Sequence, residues 1–515
     1  MTSLLTAEAP FIASTEKYLE LTGYLESPGS YSVTHSDLEN FLCGEGRELM
    51  RRLMEDHLRI RGREDKKWKS VVGSDGIRRS YKQIRERSII TVFGKVRIKR
   101  TGYSSPGESS LFPLDGALNL PRGTYSYGIG KLLALEVSES SFSEAADSVR
   151  RQSGVRIHKR QAESLSRKAV CDFDDYHEQT CRLRSEEVKK PPLLILTADG
   201  KGIVVRKEDL RDQTRKKAEN ARKKLNKRIS KGEKRNRKRM ATVASVYHIE
   251  KFVRTPESVA GEFAPESESE KRTRPRPVAK RVWASLEKSR EDVIREIFEE
   301  GLRRDPAKAK KWVCLLDGDP NQLKNVSGQI RRTSVNVTVI LDIIHVIEYL
   351  WKAARVFHDE ASKSAEKWVS ERLLEILRGR AGTVAGGMRR SATLLKIKQS
   401  SRKPVDVCAN YLLENSPYLR YNEHLEEGLP IATGVIEGAC RHLIRDRMDI
   451  TGARWSLKGA EAVLKLRSLK SGGDFDDYWK FYERQEFKGN HCSKYLNPKI
   501  LDELSSEEFA KRKST

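Results

Sequence analysis

Cysteine is scarce and scattered. The seven residues (Cys43, Cys171, Cys181, Cys314, Cys408, Cys440 and Cys492) are odd in number and none forms a CxxC pair. That excludes a disulfide framework and a zinc finger, and reduced, intracellular thiols are expected. No run approaches the ~20 apolar residues that span a bilayer; the best candidate, Val335 to Leu350, is broken by Asp342, His345 and Glu348. The opening MTSLLTAEAPFIAS has no basic residue ahead of its short apolar run, so no secretion signal is expected. No repeat of fixed period is present. Acid is short relative to base: 99 Lys and Arg against 73 Asp and Glu leave +26 on 515 residues. Such an excess favours a polyanion partner, because each cation placed on a phosphate releases a counterion. The charge alone does not separate DNA from RNA or from an anionic membrane surface. With 37% hydrophobic residues, the length suits roughly two to four domains and at least one large core.

Residues 1–80 read as helical with polar linkers, with helical apolar spacing from Phe41 to Arg61. Ser88 to Tyr103 reads as a β-hairpin around Phe93-Gly94, with Ile90, Val92, Val96 and Ile98 on one face and Lys95, Arg97 and Lys99 on the other. That second face suits phosphate contact or plain solvation. Phe142 to Gln152 predicts an amphipathic helix and Gly154 a turn. Lys159 to Lys168 predicts a second helix exposing Lys159, Arg160, Gln161, Arg167 and Lys168. The pattern is that of a helix-turn-helix, and equally of any αα-hairpin with a basic face. After Pro191-Pro192, LLILTADGKGIVVR predicts two β-runs around an Asp199-Gly200 turn. Arg211 to Arg239 holds 15 Lys and Arg and three acids in 29 residues, too polar for a core of its own. Within it Lys216, Lys217, Lys223, Lys224, Arg235, Arg237 and Lys238 are candidate phosphate contacts, which position a duplex without reading its sequence. Strands are predicted at Ala241–Val253, Trp312–Leu316 and Val335–Leu341, a polar loop at 256–277, and helices at Arg290–Leu302, through most of 343–429, at Ile431–Met448 and at Leu457–Lys470. The tail from Ser471 is polar and aromatic. This order suits one sheet flanked by helices.

Acids stand at the ends of the apolar runs. Asp199 ends LLILTA, Asp317 ends WVCLL and Asp342 ends VNVTVIL, while Glu437 lies in ATGVIEGACRHLI. Carboxylates at strand ends of one sheet can converge, and such a set supplies hard oxygen ligands for Mg²⁺. Each has a plainer role: Asp199-Gly200 as a turn and Asp317-Gly318-Asp319-Pro320 as a turn or helix entry, Asp342 as a helix cap, Glu437 as the i,i+4 partner of Arg441. The stripe Glu437, Arg441, Arg445 beside apolar Ile436, Cys440 and Leu443 suits a metal site against a DNA backbone. Trp455 reads as core, or as a wedge for a flipped base; His345 as a core or capping group, or as a helper at the site.

The strings TADGKGIVVR (Thr197 to Arg206), RMATVASVY (Arg239 to Tyr247), WVCLLDG (Trp312 to Gly318), VILDIIHVIEYLWKAA (Val339 to Ala354) and above all Gly428 to Leu469 resemble the ISKra-type insertion-sequence transposases. These are bacterial and archaeal DDE transposases, distantly similar to the Mutator-like group, and the resemblance runs from about Ser88 to Trp479. It implies a multidomain α/β protein with a ribonuclease-H-like catalytic core interrupted by an all-helical insertion, and a mostly helical N-terminal DNA-binding region. The implied divisions are 1–130 with the hairpin, 131–185 helix-turn-helix-like, 190–351 first part of the core with a basic excursion at 207–239, 352–428 insertion, 429–470 glutamate helix and 471–515 tail. The implied catalytic acids are Asp199, Asp317 and Glu437, with Asp342 the alternative second acid, and His345 assisting from Asp342-Ile343-Ile344-His345. Two Mg²⁺ (or Mn²⁺) are implied on Asp199, Asp317, Asp342 and Glu437, and DNA on the basic residues above, Arg441 and Arg445. The implied activity is metal-dependent phosphodiester hydrolysis and strand transfer at transposon ends by a homodimer or larger assembly. Terminal inverted repeats and target DNA are the implied partners, no membrane is involved, and the location is the prokaryotic cytoplasm at the nucleoid. A non-catalytic DNA-binding regulator and a ribonuclease-H-like structure-specific nuclease are the rival expectations.

Overall fold

The computed structural model describes residues 10–186, 191–220, 237–262, 273–360, 362–432, 434–450 and 453–502. Lys223, Lys224 and Arg235 lie outside the described residues. The chain divides into two compact units, Met1–Asp174 with Asp474–Thr515, and Asp175–Gly473.

The first unit opens with helices α1 (Ile12–Glu26) and α2 (His35–Arg63). Thr34 caps α2 by accepting the Asp37 amide at 3.2 Å, satisfying one of the donors every helix start leaves over. The expected hairpin is present and longer than its apolar pattern: β1 (Tyr81–Thr91) pairs with β2 (Gly94–Ser104) across Val92-Phe93. Its inward face differs from the even-numbered one expected. A two-residue turn pairs odd positions with even ones, Ile89 with Val96 and Thr91 with Gly94. Ile89, Val96 and Ile98 are therefore the buried set, joining Leu58, Leu114 and Leu120. After α3 (Tyr127–Glu139) come α4 (Phe142–Ser153) and α5 (Lys159–Lys168). Ser141 and Glu144 close a capping box at the start of α4, and Gly154 ends it at φ 74°, a left-handed conformation glycine adopts without strain.

The second unit is built on a five-stranded mixed sheet. Its strands are β3 (Leu193–Val204), β4 (Lys238–Ile249), β5 (Val278–Ser285), β6 (Lys311–Leu316) and β7 (Val337–Leu341). They lie in the order β5-β4-β3-β6-β7. β4 runs antiparallel to both β3 and β5, and β6 and β7 run parallel to β3. Two expectations are corrected. Asp199-Gly200 is not a turn: β3 runs straight through it, with Asp199 opposite Val243 and Gly200 opposite Thr242. Twelve consecutive ladder pairs outweigh the local turn preference of the dipeptide. β5 was not expected at all, because its first half is exposed and only Val282 to Ser285 are buried, the mark of an edge strand whose polar residues hide the alternation.

Helix α6 (Arg290–Arg304) joins β5 to β6, and α7 (Pro320–Thr333) joins β6 to β7. Gly301 of α6 lets the helix lie on the fully buried Trp312 ring: a Cβ there would stand 2.5 Å from it. α8 (Ile343–Ala354) follows β7. The chain then runs through α9 (Lys363–Leu377), α10 (Ala381–Leu394) and α11 (Gln399–Glu414), and from Lys352 to Gly428 no strand occurs among the described residues. The expected single helix at 431–448 is broken. α12 (Gly434–Ala439) passes into a wider π-turn at Cys440–Arg445 before a short α-turn at Asp446–Met448. α13 (Leu457–Gly472) packs on β5 and uses buried Glu461 to accept the Ser285 hydroxyl at 2.8 Å and the Leu286 amide at 2.7 Å. The loop expected at 256–277 contains a helix, Pro256–Glu262. The segment from Ser471 carries α14 (Phe475–Asn490), which packs its Phe475, Tyr478, Trp479 and Tyr482 into the first unit. Among the described residues no helix is long and apolar enough to cross a membrane.

Candidate active site

The sheet register places three of the four candidate acids. Thr197 pairs with Leu315, and Leu315 with Ile340. Two residues further along each strand stand Asp199, Asp317 and Asp342. They stand at one level across three neighbouring parallel strands, where β6 and β7 end while β3 runs on to Val204, and by the alternation of side chains they point toward one face. At about 4.8 Å per strand, Asp317 starts one spacing from Asp199 and Asp342 about 10 Å away.

Each aspartate is held differently. Asp199, half-buried, accepts its neighbour Gly200 N–H at 2.5 Å through Oδ1 and the Cys440 thiol at 3.1 Å through Oδ2. Gln322 donates its Nε2 to the Ala198 carbonyl at 2.8 Å, fixing the strand just before Asp199. Asp317 Oδ1 accepts the Asp319 amide at 2.9 Å, and its carbonyl takes the Tyr411 hydroxyl at 3.0 Å. Tyr411 in turn stacks on Tyr349, ring centres 4.2 Å apart. Asp342 is buried and caps α8 by accepting the Ile344 amide at 2.9 Å. The capping role read as its alternative is therefore present.

Glu437 is exposed on α12, a helix that packs against β3, β4 and β5. Cys440 follows it by three residues, on the same helix face. Burial first, then the Asp199 charge and its hydrogen bond, push the Cys440 thiol up; Glu437 adds to the same effect. Cys440 thus lies between the glutamate helix and Asp199. The donor set of Asp199, Asp317, Asp342 and Glu437 is all hard oxygen, which fits Mg²⁺ in kind. The side chains do not converge: among the described residues no three His, Cys, Asp or Glu groups come together as a metal cluster.

The other candidates are placed as follows. His345 is half-exposed on α8, its Nδ1 3.9 Å from Glu348. The π-turn takes Arg441 off the regular stripe with Glu437, and Arg441 stands 3.7 Å from Asp446; Arg445 is exposed. Lys216 and Lys217 are exposed on the helix Asp212–Asn220, while Arg237 and Lys238 are half-buried at the start of β4. Lys159, Arg160 and Arg167 are exposed on α5, whereas Lys168 is committed to Glu486 at 2.6 Å. Trp455 is buried, donates to the Met448 carbonyl at 3.1 Å and carries Arg447 over its ring, which matches its core reading.

Sequence reasoning missed Tyr411, Gln322 and Arg290, while its reading of Asp319-Pro320 as a turn or helix entry is met as a helix entry. Tyr411 and Gln322 hold the backbone under two acids. Asp319 caps α7 through the Asn321 and Gln322 amides; the Asp-Pro step at 319–320 signals such a cap. Burial alone would raise its carboxyl, yet the Gln322 amide and the Arg290 guanidinium outweigh it and hold it below the usual range. Arg290 meets Asp319 at 2.8 Å. A cation in the first turn of a helix opposes the helix dipole, and that broken rule was the available signal.

Gly318 shows how tightly the Asp317 turn is built. Its φ is 87°, and a Cβ would stand 2.9 Å from Tyr411 Cε2 and 3.0 Å from its hydroxyl. Gly318→Ala is expected to cost about 1–3 kcal/mol from strain and crowding. Denaturant unfolding of the full chain checks this; an unchanged midpoint contradicts it.

No family model matches the sequence, and no curated protein matches it. Among solved structures the chain is similar to the Drosophila P element transposase strand transfer complex, at 9% identity, over 76% of this chain and 86% of that one, with a TM-score of 0.23.

Proposed function

We propose that the chain is a DDE-type DNA transposase, catalysing metal-dependent phosphodiester hydrolysis and strand transfer at transposon ends. The observation that carries this is the common level of Asp199, within β3, with Asp317 and Asp342 at the carboxyl edge of β6 and β7, and the Glu437 helix packed on β3. Acids at that edge are where open α/β sheets place their ligands. The strand order supports a ribonuclease-H-like core: three antiparallel strands in succession, the first of them flanked on its other side by two parallel ones. The absence of strands among the described residues from 352 to 428 suits the helical insertion.

In this reading Asp199, Asp317 and Glu437 hold the ions, and Asp342 keeps α8 capped beside them. Mg²⁺ or Mn²⁺ would supply Lewis-acid polarisation of the phosphoryl oxygens and an activated water. The chain contributes positioning. Cys440 and Gln322 fix the Asp199 strand, Tyr411 and Asp319 fix the Asp317 turn, and His345 stands on α8, the helix that Asp342 caps. Lys216, Lys217, Lys223, Lys224, Arg235, Arg237 and Lys238 supply backbone contacts that anchor a duplex, with Arg441 and Arg445 beside the glutamate. α5, with Lys159, Arg160 and Arg167, and the β1–β2 hairpin are proposed to meet the terminal inverted repeats. Two ends require synapsis, hence a homodimer or larger assembly at the prokaryotic nucleoid.

The test is a product analysis on labelled transposon-end duplexes with Mg²⁺ or EDTA. Cutting at the ends followed by joining to target DNA, both lost in EDTA, is the expected result. Cutting without joining or end preference replaces the reading with a structure-specific nuclease. DNA binding with no metal-dependent chemistry replaces it with a regulator.

A further inference from the structure

A cleft of about 410 Å³ opens within the first unit where three elements meet: the middle of α2, the turn of the β1–β2 hairpin and the turn between α4 and α5. Four cations line it, Arg47, Arg51, Lys95 and Arg156, against one acid, Glu48. That acid is already engaged: Glu48 takes Arg51 at 2.7 Å and Arg52 at 2.9 Å, and Arg51 also meets Glu55 at 2.5 Å. Arg47, Lys95 and Arg156 have no carboxylate partner among the described residues. Lys95 and Arg156 are exposed. Arg47 is half-buried and held by donating Nη2 to the Gln152 carbonyl at 3.1 Å; a Cβ on Gly154 would stand 3.2 Å from its Nη1.

Three uncompensated cations around one concave surface repel one another, and an anion that bridges them removes the repulsion. Apolar surface lies between them: Ile90, Phe93 and Val155 also line the cleft, and Phe93 is 37% exposed at the hairpin turn. Cations alternating with apolar surface match a sugar–phosphate backbone, in which phosphates alternate with deoxyribose rings. The cleft is open on the α2 side, where a Cβ on Gly44 would meet no atom within 4 Å. Arg156 stands three residues before α5, so an anchor there sets where α5 lies on a duplex. We propose that this cleft binds the backbone of duplex DNA: Arg47, Lys95 and Arg156 contact phosphate oxygens, Phe93 packs on deoxyribose, and the contact positions α5 without reading sequence. This rests on the reading of α5 and the hairpin as the part that meets DNA, and it assigns the anchoring to a cleft which that reading does not name.

The test is fluorescence anisotropy of the full chain in EDTA over a range of salt, on a labelled transposon-end duplex and a scrambled one. Lys95→Ala and Arg156→Ala are each expected to lower the slope of log K against log salt by about one, and the double variant by about two, equally on both duplexes. Lys95→Arg is expected to keep the slope. Gly44→Leu fills the cleft and leaves every charge in place. It is expected to weaken binding about tenfold, as loss of one charge-assisted hydrogen bond does, with a denaturant midpoint no lower than that of wild type, because leucine forms helix better than glycine. Unchanged slopes overturn the proposal, and so does a stable Gly44→Leu chain that binds as wild type does. Losses confined to the end sequence overturn it by making the cleft a reader of bases. Tighter binding of an RNA duplex of the same sequence, with the same slope changes, overturns it in favour of RNA. Cutting and joining are scored separately in Mg²⁺. Wild type that shows these slopes and cuts nothing refutes the transposase reading and keeps the cleft; wild type that cuts while the slopes stay unchanged refutes the cleft alone.

Discussion

Asp199→Asn and Asp317→Asn are each expected to lower Mg²⁺-dependent cleavage by roughly a thousandfold, about 4 kcal/mol of transition-state stabilisation, while Asp342→Asn retains measurable cutting. The difference follows from the sheet. Asp199 and Asp317 stand at one level on adjacent parallel strands and are half-buried, whereas Asp342 is one strand further and buried in a capping contact with Ile344. Asparagine caps a helix as well as aspartate does, so Asp342→Asn leaves α8 intact and reports on charge alone. Single-turnover rates on an end duplex, with circular dichroism to confirm folding, check the series. A dead Asp342→Asn beside an active Asp317→Asn moves the second acid to β7.

Much of this edge was legible in the sequence. Apolar runs ending in aspartate gave β6 and β7 within two residues, because buried parallel strands are continuous apolar runs. Asp199 was also placed on a strand, but its dipeptide read as a turn. Only the ladder with β4, whose partners for Gly200 to Val204 lie 34 to 42 positions later, shows that the strand continues. β5 was invisible for the same non-local reason: VAKRVWAS is made a strand by its pairing with β4, not by its own alternation. The π-turn at Cys440–Arg445 inserts extra backbone per turn, and no spacing in an apparently helical stretch announces it. Arg290 meets Asp319 from α6 and Tyr411 meets the Asp317 carbonyl from α11, contacts that no local spacing announces.

The largest stability effect is expected at Glu300. Its side chain is 1% exposed and takes Arg281 at 2.6 Å, Arg304 at 2.8 Å and Arg303 at 3.3 Å. Arg281 also lies over the Trp283 ring. The cluster ties the edge strand β5 to α6. Burial alone would raise the Glu300 carboxyl, but the three guanidiniums outweigh it and hold it well below the carboxylate range. Glu300→Gln leaves buried cations uncompensated and is expected to cost about 3–5 kcal/mol. A depressed folded-state pKa contributes stability above the unfolded glutamate value, about 4.3, and loses it as pH falls through the folded value. Wild type should therefore lose this contribution on acidification below about pH 4, and Glu300→Gln should lack that part of the dependence. Denaturant midpoints at neutral and acid pH measure both. A variant as stable as wild type at neutral pH contradicts the account.

The transposase proposal requires Asp199, Asp317 and Glu437 to hold one divalent-cation site when metal binds. Calorimetric titration of Mn²⁺ into the full chain, wild type beside Asp199→Asn, tests it without DNA, sequence preference or turnover. Binding by wild type that Asp199→Asn abolishes or weakens at least tenfold is the predicted result; identical isotherms for the two proteins would contradict it.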